Sequence, residues 1–296
     1  MNRLRRSETT EDGRRRDRRR PPAPEPLPLP VTDTHCHMDI ADGDGDNDGG
    51  FGPEEALAAA ERVGVSRVVQ VGVDLPTSGW AVEAAERFSN VVATVAVHPN
   101  EAPRLAAAGE LDATLAEIDR IAGSSDRVRG VGESGLDHFR TGPDGYQAQE
   151  ESFRAHIEIA RRRGLALAIH DRDAHDEILR VLDDVDVPDR VIFHCFSGDA
   201  AMARHCAERG WFLSFAGTVT FKNADALRAA LREAPLEQIL VETDAPYLTP
   251  HPYRGRPNAS YLVPLTVRAI AEVLDRDLES VCATIQENTD RAFETW

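Results

Sequence analysis

His35 and His37 stand two residues apart inside a short apolar run, VTDTHCHM at 31–38. In an extended chain that spacing puts both imidazoles on one face. Cys36 then points to the other face and reads as a small packing residue. Further runs of the same kind carry an imidazole or carboxylate at or just past their ends: His98, Glu133, His170, His194 and Asp244. One such histidine alone would more often be a hydrogen-bonded core residue than a ligand. A whole set converging in a narrow space is costly unless it binds something. Imidazole and carboxylate together suit a divalent ion that accepts nitrogen and oxygen.

The elements that must position these groups alternate along the chain. Short β-rich runs fall at 31–38, 66–72, 91–99, 128–137, 165–171, 190–196, 211–217 and 239–246. Stretches at helical spacing follow each one, at about 53–63, 77–88, 103–122, 145–163, 173–184, 199–208, 223–232 and 263–274, with a last helix at about 277–293. Eight strands each followed by a helix predict an α/β fold, a (β/α)8 TIM barrel of one domain over 31–296. A doubly wound open sheet would carry a glycine fingerprint after its first strand, and none is present. Barrel active sites are built at the strand C-terminal ends, which is where the polar residues fall.

The ligand count predicts two ions. His35, His37, Asp244 and one oxygen of Glu133 complete one site; His170, His194 and the other Glu133 oxygen form the second. A carboxylate between two ions is the usual layout for hydrolysis by metal-activated water. Some binuclear barrels bridge their metals with a carbamylated lysine, but the only lysine here is Lys222, after the seventh strand. Glu133 must take that role.

These residues lie in the ordered motifs DTHCHMD (33–39), VAVHPNE (95–101), GESGLDHF (132–139), IHDRDAHDE (169–177), FHCFSG (193–198), VETDAPYLTP (241–250) and RGRPN (254–258). With them the chain resembles the TatD family of metal-dependent hydrolases, in the amidohydrolase-like barrel group. Departures are small: Ser134 stands where the family usually has Ile, Cys or Thr, and an acidic insertion follows Asp39. The resemblance implies a deoxyribonuclease, commonly a 3′→5′ exonuclease on single-stranded DNA linked to DNA repair, that uses two divalent ions, Mg²⁺ or Mn²⁺ and on chemical grounds also Zn²⁺. It implies His35, His37, Glu133, His170, His194 and Asp244 as ligands and His98 beside the substrate phosphate. Asp244 is then the acceptor of the water proton, and Arg172, Arg254 and Arg256 are candidate phosphate contacts. Phe139, Phe196, Phe221, Tyr247 and Tyr253 are candidates to stack on bases. Hydrolysis of small amides, esters or lactones on the same barrel is the alternative, because fold does not fix substrate. A non-catalytic barrel would be expected to lack a ligand, and all six are here.

Composition excludes other classes. No stretch approaches the ~18–20 apolar residues of a membrane span, and no apolar signal-peptide core begins the chain, so a cytoplasmic protein is expected. The four cysteines form no CxxC pair, which argues against a disulfide framework or zinc ribbon. Residues 1–20 hold nine arginines against four acidic residues, a net +5; the remainder holds 25 basic against 47 acidic residues, or −22. That acidic, lysine-poor body resembles proteins of salt-in halophiles, where molar salt screens the repulsion. It also repels phosphates at low salt, an objection that metals and a few arginines at the barrel mouth must answer.

Residues 1–30, Arg-rich and then Pro-rich, are expected to lack fixed structure. A dispensable extension is the simpler reading; a basic arm that touches nucleic acid is the other. Asp44, Asp46, Asp48 and Glu55 fit the spacing of a calcium loop, but no helix precedes them, and a solvated acidic loop is the simpler reading.

Overall fold

The computed structural model describes residues 3–9, 13, 15–43, 51–294 and 296. The acidic stretch 44–50, with its calcium-loop spacing, lies outside them. Eight strands form one parallel sheet: β1 (Val31–Cys36), β2 (Val65–Val71), β3 (Val91–Val95), β4 (Val128–Asp137), β5 (Ala166–Arg172), β6 (Val191–Phe193), β7 (Phe212–Phe215) and β8 (Ile239–Val241). Each pairs with its sequence neighbour, as the alternating pattern predicts. The helices are α1 (Pro53–Glu61), α2 (Leu75–Arg87), α3 (Ala102–Ala108), α4 (Leu111–Ala122), α5 (Tyr146–Arg163), α6 (His175–Asp183), α7 (Ala200–Glu208), α8 (Asp225–Glu233), α9 (Val263–Leu274) and α10 (Leu278–Phe293). The single helix expected over 103–122 is two, because Gly109 takes a left-handed conformation (φ 70°) and caps α3.

The seam between β8 and β1 closes just past the strand ends. Asp244 N–H donates to the His35 carbonyl at 2.9 Å, and His37 N–H to that of Ala245 at 2.8 Å. Beneath them the buried Asp33 carboxylate accepts from the Thr243 N–H (2.9 Å) and hydroxyl (2.6 Å). Burial pushes the Asp33 carboxyl up to about 7, against those hydrogen bonds.

Two apolar clusters fill the rest. One lies between strands and helices. The other is an inner layer of Val69, Val92, Ala166, Ile192, Phe212 and Leu240, with Ala292 and Phe293 of α10 packed on it. Apolar side chains thus fill the barrel toward the strand N-terminal ends, leaving the other end to polar groups. Among the described residues no helix is long and apolar enough to cross a membrane.

Residues 21–30, in the segment expected to be structureless, follow a defined course along the barrel. Leu27 is buried and its N–H donates to the Val63 carbonyl at 3.0 Å. The Tyr261 hydroxyl donates to the Pro21 carbonyl (2.7 Å), and Arg268 to that of Pro26 (3.0 Å). A proline-rich strand has no internal hydrogen bonds to lose, so side-chain donors from the barrel suffice to seat it.

Candidate active site

Glu133 is the hub. It sits in the middle of β4, where Gly135 lets β5 come close: a Cβ on Gly135 would lie 2.0 Å from the His170 carbonyl oxygen. Glu133 is 5% exposed, and its carboxylate faces five imidazoles. Its Oε1 meets His170 Nδ1 at 2.6 Å, His194 Nε2 at 2.9 Å and His98 Nε2 at 3.3 Å. Its Oε2 meets His35 Nε2 at 3.4 Å and His37 Nε2 at 3.8 Å. Asp244 completes the ring, with Oδ1 3.5 Å from His37 Nε2 and 4.0 Å from His35 Nε2. The seven residues expected to carry the chemistry are therefore in one place.

Two further carboxylates, which the sequence reading did not single out, stand behind the imidazoles. Asp137 Oδ2 lies 3.3 Å from His170 Nε2, on the far side of that ring from Glu133. Glu242 Oε1 lies 3.3 Å from His194 Nδ1 and also accepts the Cys195 N–H at 2.9 Å. Each carboxylate is placed to accept a proton from the outer nitrogen and leave the inner nitrogen facing the site, the carboxylate–imidazole pairing that orients metal-binding histidines. Spacing carried a signal for both: Asp137 is four residues after Glu133 on one strand, and Glu242 is two before Asp244.

His98 is held differently. Its Nδ1 accepts the Asn100 N–H at 3.1 Å, so the ring proton sits on Nε2, which points at Glu133. In that tautomer the nitrogen is a donor.

The charges interlock. Burial works against the Glu133 carboxylate, yet the His194 and His98 charges and hydrogen bonds from His170 and His194 hold it well below the usual range. Burial disfavours the His37 cation, but the Asp244 hydrogen bond and the Glu133 and Asp244 charges raise it to about 9. Burial lowers His35, with the His194 charge adding to it.

The donor set fits divalent ions. His35 and His37 turn their Nε2 atoms toward each other at 3.3 Å, an arrangement that needs a cation or proton between them. Glu242 Oε2 is buried with no hydrogen-bond partner among the described residues, as suits a carboxylate facing positive charge. Among the described residues three clusters, His35–His37–Asp244, His35–His194–Glu242 and His98–Glu133–His170, gather ligand atoms within 4.8 Å of one another.

The site opens into a cavity of about 570 Å³, lined in part by His37, His98, Arg172 and Tyr247. Arg172 is at this rim, stacked 3.9 Å over Phe139. Arg254 lines an adjoining cavity and stacks 4.5 Å over Phe221. Arg256 is turned to residues 19 and 20, whose carbonyls it holds at 2.7 and 2.5 Å. Phe196 is buried in the core, whereas Phe139 and Tyr247 are exposed at the mouth.

Residues 32–294 match the family model described as TatD related DNase. A Mycobacterium tuberculosis protein described as an uncharacterized metal-dependent hydrolase, TatD, is 47% identical over 238 residues, covering 79% of this chain and 88% of that protein. The 3′-5′ ssDNA/RNA exonuclease TatD of Citrobacter rodentium is 31% identical over 247 residues, covering 81% and 91%. Among solved structures, the TatD homologue YJJV of Escherichia coli superposes with a TM-score of 0.81 at 24% identity, over 90% of this chain and 98% of that one. A closed parallel barrel, a polar mouth ringed by ligand-type side chains and a match running almost the whole length of the chain agree: the protein belongs to the TatD family of metal-dependent hydrolases.

Proposed function

We propose that the protein hydrolyses DNA phosphodiester bonds with two divalent ions, as a 3′→5′ exonuclease on single strands. The observation that carries this reading is the division of Glu133: Oε2 faces His35 and His37, and Oε1 faces His170 and His194. His35, His37, Asp244 and Oε2 would hold one ion; His170, His194 and Oε1 would hold the other. Bound there, Mg²⁺ or Mn²⁺ supplies a Lewis acid for a phosphoryl oxygen and lowers the pKa of water.

The chain's own groups do the rest. Asp244, the more accessible of the two ligand carboxylates, accepts the proton of the attacking water. His98 donates from Nε2 to a phosphate oxygen, where negative charge grows in the transition state. Arg172, held flat over Phe139, offers a guanidinium to a neighbouring phosphate. The nuclease name of the Citrobacter relative supports a nucleic-acid substrate.

The test is hydrolysis of 5′-labelled single-stranded DNA in Mn²⁺, with and without EDTA, beside a panel of esters, amides and lactones. A ladder shortening from the 3′ end, abolished by EDTA, is expected. Turnover confined to the small-molecule panel would replace the reading.

A further inference from the structure

The N-terminal arm is built into the mouth of the barrel. Leu4–Arg5 pairs in parallel with Ile40–Ala41, four residues past β1. The anchor is a buried ion pair: Arg16 holds Asp42 at 2.9 and 2.5 Å, and the two side chains are 4% and 2% exposed. Arg6 adds a third bond to Asp42 at 3.1 Å, donates to the Pro246 carbonyl at 2.5 Å and stacks 4.4 Å over Tyr247. Tyr247 in turn meets the His37 ring edge-on at 6.4 Å. One ring therefore separates the arm from the ligand cluster.

Together, arm and barrel enclose a second cavity of about 950 Å³ beside the first, sharing Arg6, Ile40, Arg140, Tyr247 and Leu248 with it. Six arginines line it: Arg5, Arg6, Arg16, Arg140, Arg254 and Arg256. No acidic residue does, among the described ones, in a chain of net charge −17. The exposed apolar side chains concentrate there too: Leu4 at 61% and Tyr247 line it, and Phe139 at 57% lies under Arg172 at the rim of the first cavity. Guanidinium groups interleaved with aromatic faces are the composition that tracks a single strand, phosphates on the cations and bases on the rings.

We infer that the arm forms one wall of the substrate groove, in which Arg5, with Arg254 opposite on the barrel, holds phosphates of a DNA single strand beyond the bond being cut. This rests on the nucleic-acid reading above. It gives the +5 arm a role alongside the few arginines that the −22 body places at its mouth.

Arg5 is the residue to test, because it is exposed and its ion pair is with an exposed Glu8, so its loss spares the buried anchor. Nuclease-resistant phosphorothioate oligo-dT of about 12 nucleotides, in the size range of single-strand sites, is titrated by fluorescence anisotropy with Mn²⁺ present. A dinucleotide is the short comparison, and KCl runs from about 0.05 to 1 M. Arg5→Ala is expected to weaken the long oligonucleotide about fivefold at ~0.1 M salt and to reduce the salt slope by about 0.7, one phosphate's worth. Arg5→Glu should weaken it further, and Arg120→Ala, at an exposed position on α4, should match wild type. If wild type prefers the long strand but both Arg5 variants bind it unchanged, the arm is no part of the groove and the nuclease reading stands. If wild type binds neither oligonucleotide yet hydrolyses bis(p-nitrophenyl) phosphate, the nucleic-acid reading falls and takes this inference with it.

Discussion

Glu133→Gln removes one charge from the centre of the site and leaves the side-chain volume unchanged. Nitrogens of the four ligand imidazoles, His35, His37, His170 and His194, lie 2.6–3.8 Å from the Glu133 oxygens. An ion held by those nitrogens would lie within about 4 Å of the carboxylate. Unit charges at that distance attract by about 4 kcal/mol at an effective dielectric of about 20, and a dication doubles it to about 8. The amide keeps a dipole toward the ion and avoids the carboxylate's desolvation, worth several kcal/mol. About 3–4 kcal/mol remains, or ~10²–10³ in ion affinity. Calorimetric titration with Mn²⁺ on dialysed protein measures it, and hydrolysis against free Mn²⁺ shows whether the rate follows. A Glu133→Gln protein that takes up Mn²⁺ at wild-type affinity, or keeps near-full metal-dependent hydrolysis, would refute the assignment of Glu133 as the shared ligand.

Glu242→Leu strips the acceptor from both His194 Nδ1 and the Cys195 N–H. Metal affinity should drop about 10–100-fold, and Glu242→Gln should recover part of it; equal affinity in all three would remove the orienting role. His156 is buried and accepts the Val97 N–H at 3.0 Å, and burial lowers its pKa to about 4. Below the unfolded value of about 6.5 the unfolded chain takes up the proton first. This contribution to stability is thus complete above that pH and falls by about 3 kcal/mol as pH drops toward 4. Urea unfolding of wild type and His156→Gln should diverge in slope over that window; parallel curves would contradict it. Arg16→Ala leaves Asp42 paired with Arg6 at 3.1 Å. The cost is about 2 kcal/mol, below the ~3–5 of a wholly uncompensated buried charge. Trypsin should clip the arm about 30-fold faster, and an unchanged cleavage rate would show the anchor to be idle.

The site was legible because its residues break a pattern. An imidazole or carboxylate at the end of an apolar strand stands out, so His35, His37, His98, Glu133, His170, His194 and Asp244 could be gathered before any coordinates. Asp137 and Glu242 escaped because their spacing from Glu133 and Asp244 puts them near the site without telling which way the ring of the imidazole in front of each is turned. Arg256 resembles Arg254 in sequence, but what it binds is the arm's backbone. The arm itself was unreadable for a related reason. Its composition argues against a core of its own, and it needs none: a buried pair with Asp42 and hydrogen bonds from the barrel seat it on a surface already made. The break between α3 and α4 rests on the backbone of one glycine inside an alanine-rich stretch that is helical on either side.

The closing seam has a consequence for how the enzyme comes into being. His35 belongs to the first staves of the barrel and Asp244 to the last, yet they are joined by a backbone hydrogen bond. No truncated or half-synthesised chain can own a complete cation nest, since one bank of it has not yet been made. Such long-range contacts form slowly, so a nascent polypeptide meets free metal without a finished trap. If His35, His37 and Asp244 hold an ion as proposed, its capture would wait on ring closure, and the seated ion would rivet the two ends of the sheet together.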